Sequence, residues 1–114
     1  MHILLTGASG FLGGVCAELL AHQKDVRVLT LRSGGATRPC PIAVPGFDAP
    51  SSLSPHQLRI ILGGIEITHI IHMGALSSPE VCEREPDRAH AANVDFTEML
   101  SLFAASNGIR LTTI

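Results

Sequence analysis

Thr6-Gly7-Ala8-Ser9-Gly10-Phe11-Leu12-Gly13 decides how the rest of this 114-residue sequence is read. Ahead of it, Ile3–Leu5 form a short apolar run closed by Thr6-Gly7, the pattern of a buried strand ending in a turn. Behind it, Phe11, Leu12, Val15, Cys16, Leu19 and Leu20 recur at helical spacing. They predict a helix from about Gly10 to His22 with these residues on one buried stripe. Between strand and helix the glycines are spaced Gly-x-x-Gly-x-x-Gly, and each position has its own physical requirement. Gly7 permits a tight turn out of the strand, and Gly10 leaves no side chain where a diphosphate would approach the backbone. Gly13 lets the helix come close to the sheet. The first helical turn then offers unpaired N–H groups and the positive end of its dipole to an anion. The competing reading is that the glycines serve only a tight strand-to-helix turn.

The alternation continues outward. Val26–Leu31 read as a second strand and Ser33–Thr37 as a loop. Ile42–Val44 read as a short third strand ending near Phe47-Asp48. Ser54-Pro55-His56-Gln57 has a capping serine, a proline at the first helical position and a glutamine three residues after the serine. It starts a helix predicted to stop at Gly63-Gly64. Thr68–Met73 read as a fourth strand, and Ser77-Ser78-Pro79-Glu80 as another helix start. A short helical piece, a long helix from about Asp87 to Ser106, and a fifth strand over Arg110–Ile114 complete the chain. Strands this apolar have no wet face, so the pattern predicts α/β architecture with helices on both sides of a parallel sheet. Right-handed crossovers give a Rossmann-type, doubly wound order 3-2-1-4-5, ending after strand five, in one domain over residues 1–114.

The end of the second strand bears on the nucleotide. In this fold an acid there bonds the ribose hydroxyls of NAD. The expected position holds Thr30, followed by Leu31, Arg32 and Ser33. A carboxylate would repel the extra phosphate of NADP, and an arginine would pair with it through a forked, charge-assisted bond. NADP is therefore favoured over NAD, the alternative being that Arg32 is a solvated loop charge. Asp48 reads either as an acceptor for the adenine amino group or as a turn residue before Pro50.

Composition removes other classes. A formal charge of −2 gives no electrostatic footprint for nucleic acid or an acidic membrane. No apolar run approaches a membrane span, and no charged lead with a cleavable apolar stretch opens the chain. Cys16, Cys40 and Cys82 fit no metal spacing and read as reduced thiols, which with the missing signal peptide predicts a cytoplasmic protein. His2, His22, His56, His69 and His90 show no ligand spacing. Glu80, Glu83, Glu85 and Asp87 read as a solvated face; Met99, Leu100, Leu102 and Phe103 read as core. His72 reads as a framing residue hydrogen-bonded to backbone at a strand end.

Thr6–Gly13, followed by Ile70-Ile71-His72-Met73-Gly74-Ala75 and then Asn93-Val94-Asp95, resembles the extended short-chain dehydrogenase/reductases, and within them the NAD-dependent epimerase/dehydratase group. The resemblance spans the whole chain. It implies that Gly7, Ser9, Gly10, Phe11 and Leu12 line the pyrophosphate. Met73, Gly74 and Ala75 would pass under the cofactor near its ribose, and Asn93 would fix the structure beside the active site. The chain departs from the pattern at Phe96, where the family commonly has glycine.

The resemblance also implies a serine or threonine after the fifth strand and a Tyr-x-x-x-Lys pair beyond it, the lysine lowering the tyrosine pKa for proton transfer. The 114 residues contain no tyrosine, and Lys24 is the only lysine. The leading expectation is thus the dinucleotide-binding N-terminal portion of an NAD(P)-dependent epimerase, dehydratase or reductase. The parent would act on a sugar nucleotide or similar hydroxyl/carbonyl compound, and this portion would have no catalytic residue or turnover of its own. The second is a non-catalytic NAD(P)-binding sensor or interaction module. The third is a Rossmann relative taking another adenine nucleotide. With strands three and five as open edges, the chain is also expected to be weakly stable or to self-associate.

Overall fold

Successive side chains of a strand point to opposite faces, and here both rows are apolar. The computed structural model describes residues 1–33, 46–49, 52–75 and 78–114. Strands β1 (His2–Thr6), β2 (Arg27–Ser33), β3 (Gly46–Ala49), β4 (His69–His72) and β5 (Arg110–Thr113) form one sheet in the order β3-β2-β1-β4-β5. Every pairing is parallel, with Leu4 opposite Leu29 and Ile70, and Leu5 opposite Thr30 and Ile71.

The two rows build two cores. Leu4, Leu29, Leu31 and Ile70 meet Leu58 and Leu62 of α2 (Pro55–Leu62) and Met99, Leu100, Phe103 and Ala104 of α5 (Phe96–Asn107). Leu5 and Val28 meet Ala17 of α1 (Phe11–Ala21) on the opposite face, with Cys16, Leu20 and Ile71 partly buried around them. A parallel sheet of this order with helices on both faces is the Rossmann-type arrangement the sequence predicts.

The helix starts and stops obey their local chemistry. Ser54 accepts from the Gln57 amide while the Gln57 side chain accepts from the Ser54 amide, a complete capping box ahead of Pro55. Two further helices, α3 (Pro79–Arg84) and α4 (Pro86–His90), each begin at a proline. From Pro86 the backbone stays helical to Asn107, but Ala91–Asp95 form a π-turn in which the Phe96 amide reaches back to the Ala91 carbonyl. The long predicted helix is therefore present, with one extra residue wound into it.

Two expectations need correction. The buried stripe of α1 consists of Gly13, Gly14 and Ala17, whereas Phe11 is 87% and Leu19 is 63% exposed, and Leu12 and Val15 are exposed as well. Bulk-based periodicity missed it because the contact is made by residues with little or no side chain. On α5, Leu102 faces outward while Met99, Leu100 and Phe103 are core. The described third strand is Gly46–Ala49, which includes Phe47-Asp48; Ile42–Val44 lie outside the described residues.

Candidate functional site

The parallel sheet brings the carboxyl ends of β1, β2, β3 and β4 to one edge, where the glycine loop leaves β1 and enters α1. Gly7 has φ +79°, a region that side chains with a Cβ rarely occupy. A Cβ there would also come within 2.5 Å of the Met73 carbonyl carbon and 2.6 Å of the Gly74 nitrogen. The Gly7 carbonyl accepts from the Gly10 amide at 3.0 Å, and a Cβ on Gly13 would collide with that same carbonyl. Gly7 therefore joins three segments: its own loop, the first turn of α1, and the turn that leaves β4. Among the described residues a Cβ on Gly10 would meet only the Gly7 carbonyl, at 3.3 Å.

Gly10 is the N-cap of α1 and supplies no capping side chain, and the first turn holds no acidic residue. By contrast, α2 and α3 are capped by the hydroxyls of Ser54 and Ser78. The early amides of α1 thus keep the free donors and positive dipole end that a helix start provides. Ser9 is half-buried; Gly10, Phe11 and Leu12 are exposed; Gly13 is buried.

Beneath this ledge lies a hydrogen-bond network that spacing did not reveal. Thr6, 2% exposed, places its Oγ1 3.2 Å from the Met73 amide and 3.1 Å from the Gly74 amide, both of which donate to it. Its third partner is His72 Nδ1, at 2.6 Å. A hydroxyl has one proton and two lone pairs. With both lone pairs taken by amides, Thr6 must donate to Nδ1, which fixes His72 as the neutral tautomer carrying its proton on Nε2. That Nε2 donates to Thr97 Oγ1 at 2.8 Å, and Thr97 Oγ1 donates to the Asn93 carbonyl at 3.1 Å. The Phe96 ring lies 5.7 Å from the imidazole, centroid to centroid. Burial pushes the His72 pKa below its ordinary value, in keeping with a neutral ring. His72 is thus held by side-chain hydroxyls rather than by the backbone partners expected from the sequence. The one local clue to Thr6 is a polar residue closing an apolar strand.

The remaining predicted residues fall as follows. Met73 and Gly74 are half-buried beside Gly7, and Ala75 is exposed. Thr30 is 2% exposed, and a Cβ on Gly46 of β3 would collide with its hydroxyl. Arg32 is half-buried at the end of β2, where Asp48 is its register partner. Asn93 lies in the π-turn, on the far side of His72 from the glycine loop, joined to it through Thr97.

The family model of the RmlD substrate binding domain matches residues 1–114. The chain belongs to the RmlD substrate-binding domain family. No curated protein matches the sequence. Among solved structures, the RmlD-family chain is similar to the UDP-glucose 4-epimerase of Thermus thermophilus in complex with NAD. The two are 25% identical with a TM-score of 0.78 over 97% of this chain and 36% of that one. UDP-glucose 4-epimerase of Thermotoga maritima with UDP-glucose gives 18% identity and a TM-score of 0.81, over 99% and 37% of the two chains. L-threonine dehydrogenase of Clostridium difficile gives 20% and 0.78, over 98% and 35%. The RmlD-family chain thus spans little more than a third of the length of these proteins.

Among the described residues of this family member, no group of three or more His, Cys, Asp or Glu could hold a metal ion, and no helix is long and apolar enough to cross a membrane. Among the described residues neither Cys16 nor Cys82 takes part in a disulfide, and burial raises the Cys16 pKa. A groove on the outer side of α5 is lined by Asn93, Thr97 and Ser101 with Val94 and Leu102. It begins where the Thr6–His72–Thr97 chain ends.

Proposed function

We propose that the chain binds a nicotinamide dinucleotide, with its pyrophosphate against the amides that open α1, as the cofactor-holding portion of an NAD(P)-dependent sugar-nucleotide epimerase, dehydratase or reductase. One observation carries the reading. Alone among α1, α2 and α3, helix α1 starts at a glycine with no capping side chain and no first-turn carboxylate, on an open surface at the carboxyl edge of the sheet. That is the chemistry a diphosphate needs: donors without competitors, and space where a Cβ would stand.

In this reading the pyrophosphate lies along Gly7, Ser9, Gly10, Phe11 and Leu12, while Gly13 keeps α1 close enough to present them. Met73, Gly74 and Ala75 form the floor below the ribose, and Asn93 braces the helix beyond it. The bound nucleotide would supply the hydride acceptor or donor. This chain's own residues orient it and hold no proton-transferring group of the Tyr-x-x-x-Lys kind.

NADP is favoured over NAD. Thr30, buried and uncharged, replaces the acid that would repel a 2′-phosphate, and Arg32 follows at the strand end. In this reading Asp48, at the end of β3, would accept a bond from the adenine amino group. The Thermus thermophilus UDP-glucose 4-epimerase structure that this chain resembles holds NAD, so the strand-two end is where this chain is expected to differ. A partner beyond the nucleotide is a second copy of the chain, meeting at an exposed sheet edge or at the outer face of α1.

Calorimetric titration with NADPH and NADH tests the reading. Tighter binding of NADPH is expected, and tighter binding of NADH overturns the assignment to Thr30 and Arg32. Gly10→Val should abolish binding by occupying the phosphate position, since among the described residues the added Cβ meets only the Gly7 carbonyl, at 3.3 Å. Undiminished affinity in that variant would remove α1 as the binding element. The second reading is a non-catalytic NAD(P) sensor or interaction module. Nucleotide binding without hydride exchange, in the complete natural protein, distinguishes it.

A further inference from the structure

Both amides of the Met73-Gly74 turn donate to one oxygen, Thr6 Oγ1. The Met73 amide has a second acceptor in the Thr6 carbonyl at 3.3 Å, but the bond found for the Gly74 amide is to Thr6 Oγ1. Gly74 is also the residue against which Gly7 sits without room for a Cβ. The direction of one hydroxyl proton therefore decides whether the β4 turn and the glycine loop stay in register, and His72 sets that direction.

Resting on the dinucleotide-binding reading, we propose that His72 is a positioning residue for the nucleotide floor: its neutral ring takes the Thr6 proton, so that both Thr6 lone pairs face the Met73 and Gly74 amides. Protonation reverses the arrangement. An Nδ1–H would make three donors converge on an oxygen with two lone pairs, and the Thr6 proton would need another acceptor. The Gly74 amide is the partner that yields, because Met73 retains the Thr6 carbonyl. The turn then shifts against Gly7, and the ledge for the diphosphate loses its support. Acid therefore weakens nucleotide binding through a residue that does not touch the nucleotide.

The surroundings leave this titration to His72 itself. Among the described residues the groups facing it are neutral: Thr6 from β1, the Phe96 ring and Thr97 from α5, and Thr113, its register partner on β5. The charged residues flanking Phe96 and Thr97 along the helix, Asp95 and Glu98, are exposed, and Asp95 pairs with His90 at 3.2 Å. Burial lowers the His72 pKa. The loss of affinity is thus expected below the pH at which an ordinary histidine titrates, about 6.5.

The test has two arms on the 114-residue chain. In the first, without nucleotide, nitrogen-15 NMR reads the His72 tautomer and the Gly74 amide shift across pH. The expected result is an Nε2–H tautomer, with the Gly74 amide following the His72 titration. An Nδ1–H tautomer, or a Gly74 amide indifferent to that titration, overturns the proposal. In the second, NADPH affinity is measured between mildly acidic and mildly alkaline pH for the wild type, His72→Asn and Thr6→Ser. Asparagine offers an oxygen near the Nδ1 position and does not titrate. It should keep affinity near the alkaline wild-type value and flatten the pH profile, whereas the wild type loses roughly tenfold, the scale of one hydrogen bond. Thr6→Ser keeps the hydroxyl and should keep the profile. An unchanged acid loss in His72→Asn refutes the role of His72. If no variant binds nucleotide at any pH, the binding reading fails, while the first arm still decides the link from His72 to Gly74.

Discussion

Gly10 and Gly13 look alike in the motif and differ in what surrounds them. A methyl group on Gly13 points into the Gly7 carbonyl, a backbone atom that cannot yield without moving the loop, whereas at Gly10 it meets only tight contact. Gly13→Ala should therefore lower stability by about 1–3 kcal/mol, the usual cost of overpacking. A urea midpoint equal to that of the wild type would show that the loop relaxes freely. Gly10→Ala should cost little stability and show its effect in nucleotide affinity. His72 gives a second residue-scale expectation. Its pKa in the folded chain lies below the ordinary value through burial, so the unfolded chain takes up its proton first. Stability from the neutral ring is complete above about pH 6.5 and declines as pH falls from there through the lowered folded value. Urea midpoints measured for the wild type and for His72→Asn should diverge in that acid window, with the wild type falling further. Parallel curves would mean that burial of the ring carries no such penalty.

At the scale of elements, the helix termini carry most of what could be read in advance. Ser54, Pro55 and Gln57 form a complete capping box where their order demanded one. Ser54→Ala should cost about 1 kcal/mol and lower the unfolding midpoint; Ser54→Asp, which keeps an acceptor at the N-cap, should restore it. If alanine is neutral, α2 is held by its contacts through Leu58 and Leu62 alone. Strand order was legible for a similar reason, since right-handed crossovers leave few topologies open to an alternating β/α chain. The buried face of α1 was not, because Gly13, Gly14 and Ala17 make the contact through closeness and carry no hydrophobic signature. The π-turn over Ala91–Asp95 was also hidden: a π-turn adds one residue without changing local composition. The glycine ledge of the site could be read because its parts are adjacent in sequence. The Thr6–His72–Thr97 chain could not, since Thr6 and His72 meet across 66 positions and only the β1–β4 register brings them together.

Apolar surface lies exposed among the described residues, and this has a consequence in solution. Among the described residues the sheet ends at β3 and β5, and three of the four β5 residues are exposed, so strand edges remain available for pairing. The outer side of α1 adds Phe11, Leu12, Val15 and Leu19, opposite the stripe of small residues that seats the helix. Apolar side chains gathered on one exposed helix face favour association. The chain should therefore show concentration-dependent sedimentation. Val15→Glu with Leu19→Lys places a favourable pair four residues apart on that face, away from the core and from the amides that open α1. The double variant should sediment closer to a monomer with an unchanged unfolding midpoint. If association persists undiminished while the midpoint holds, the contact runs through the β5 edge instead. Thr113→Pro, which removes a backbone donor on the side of β5 facing away from β4, should then reduce it. A wild-type chain that sediments as a monomer at every concentration would show that these edges and this helix face are protected without a partner.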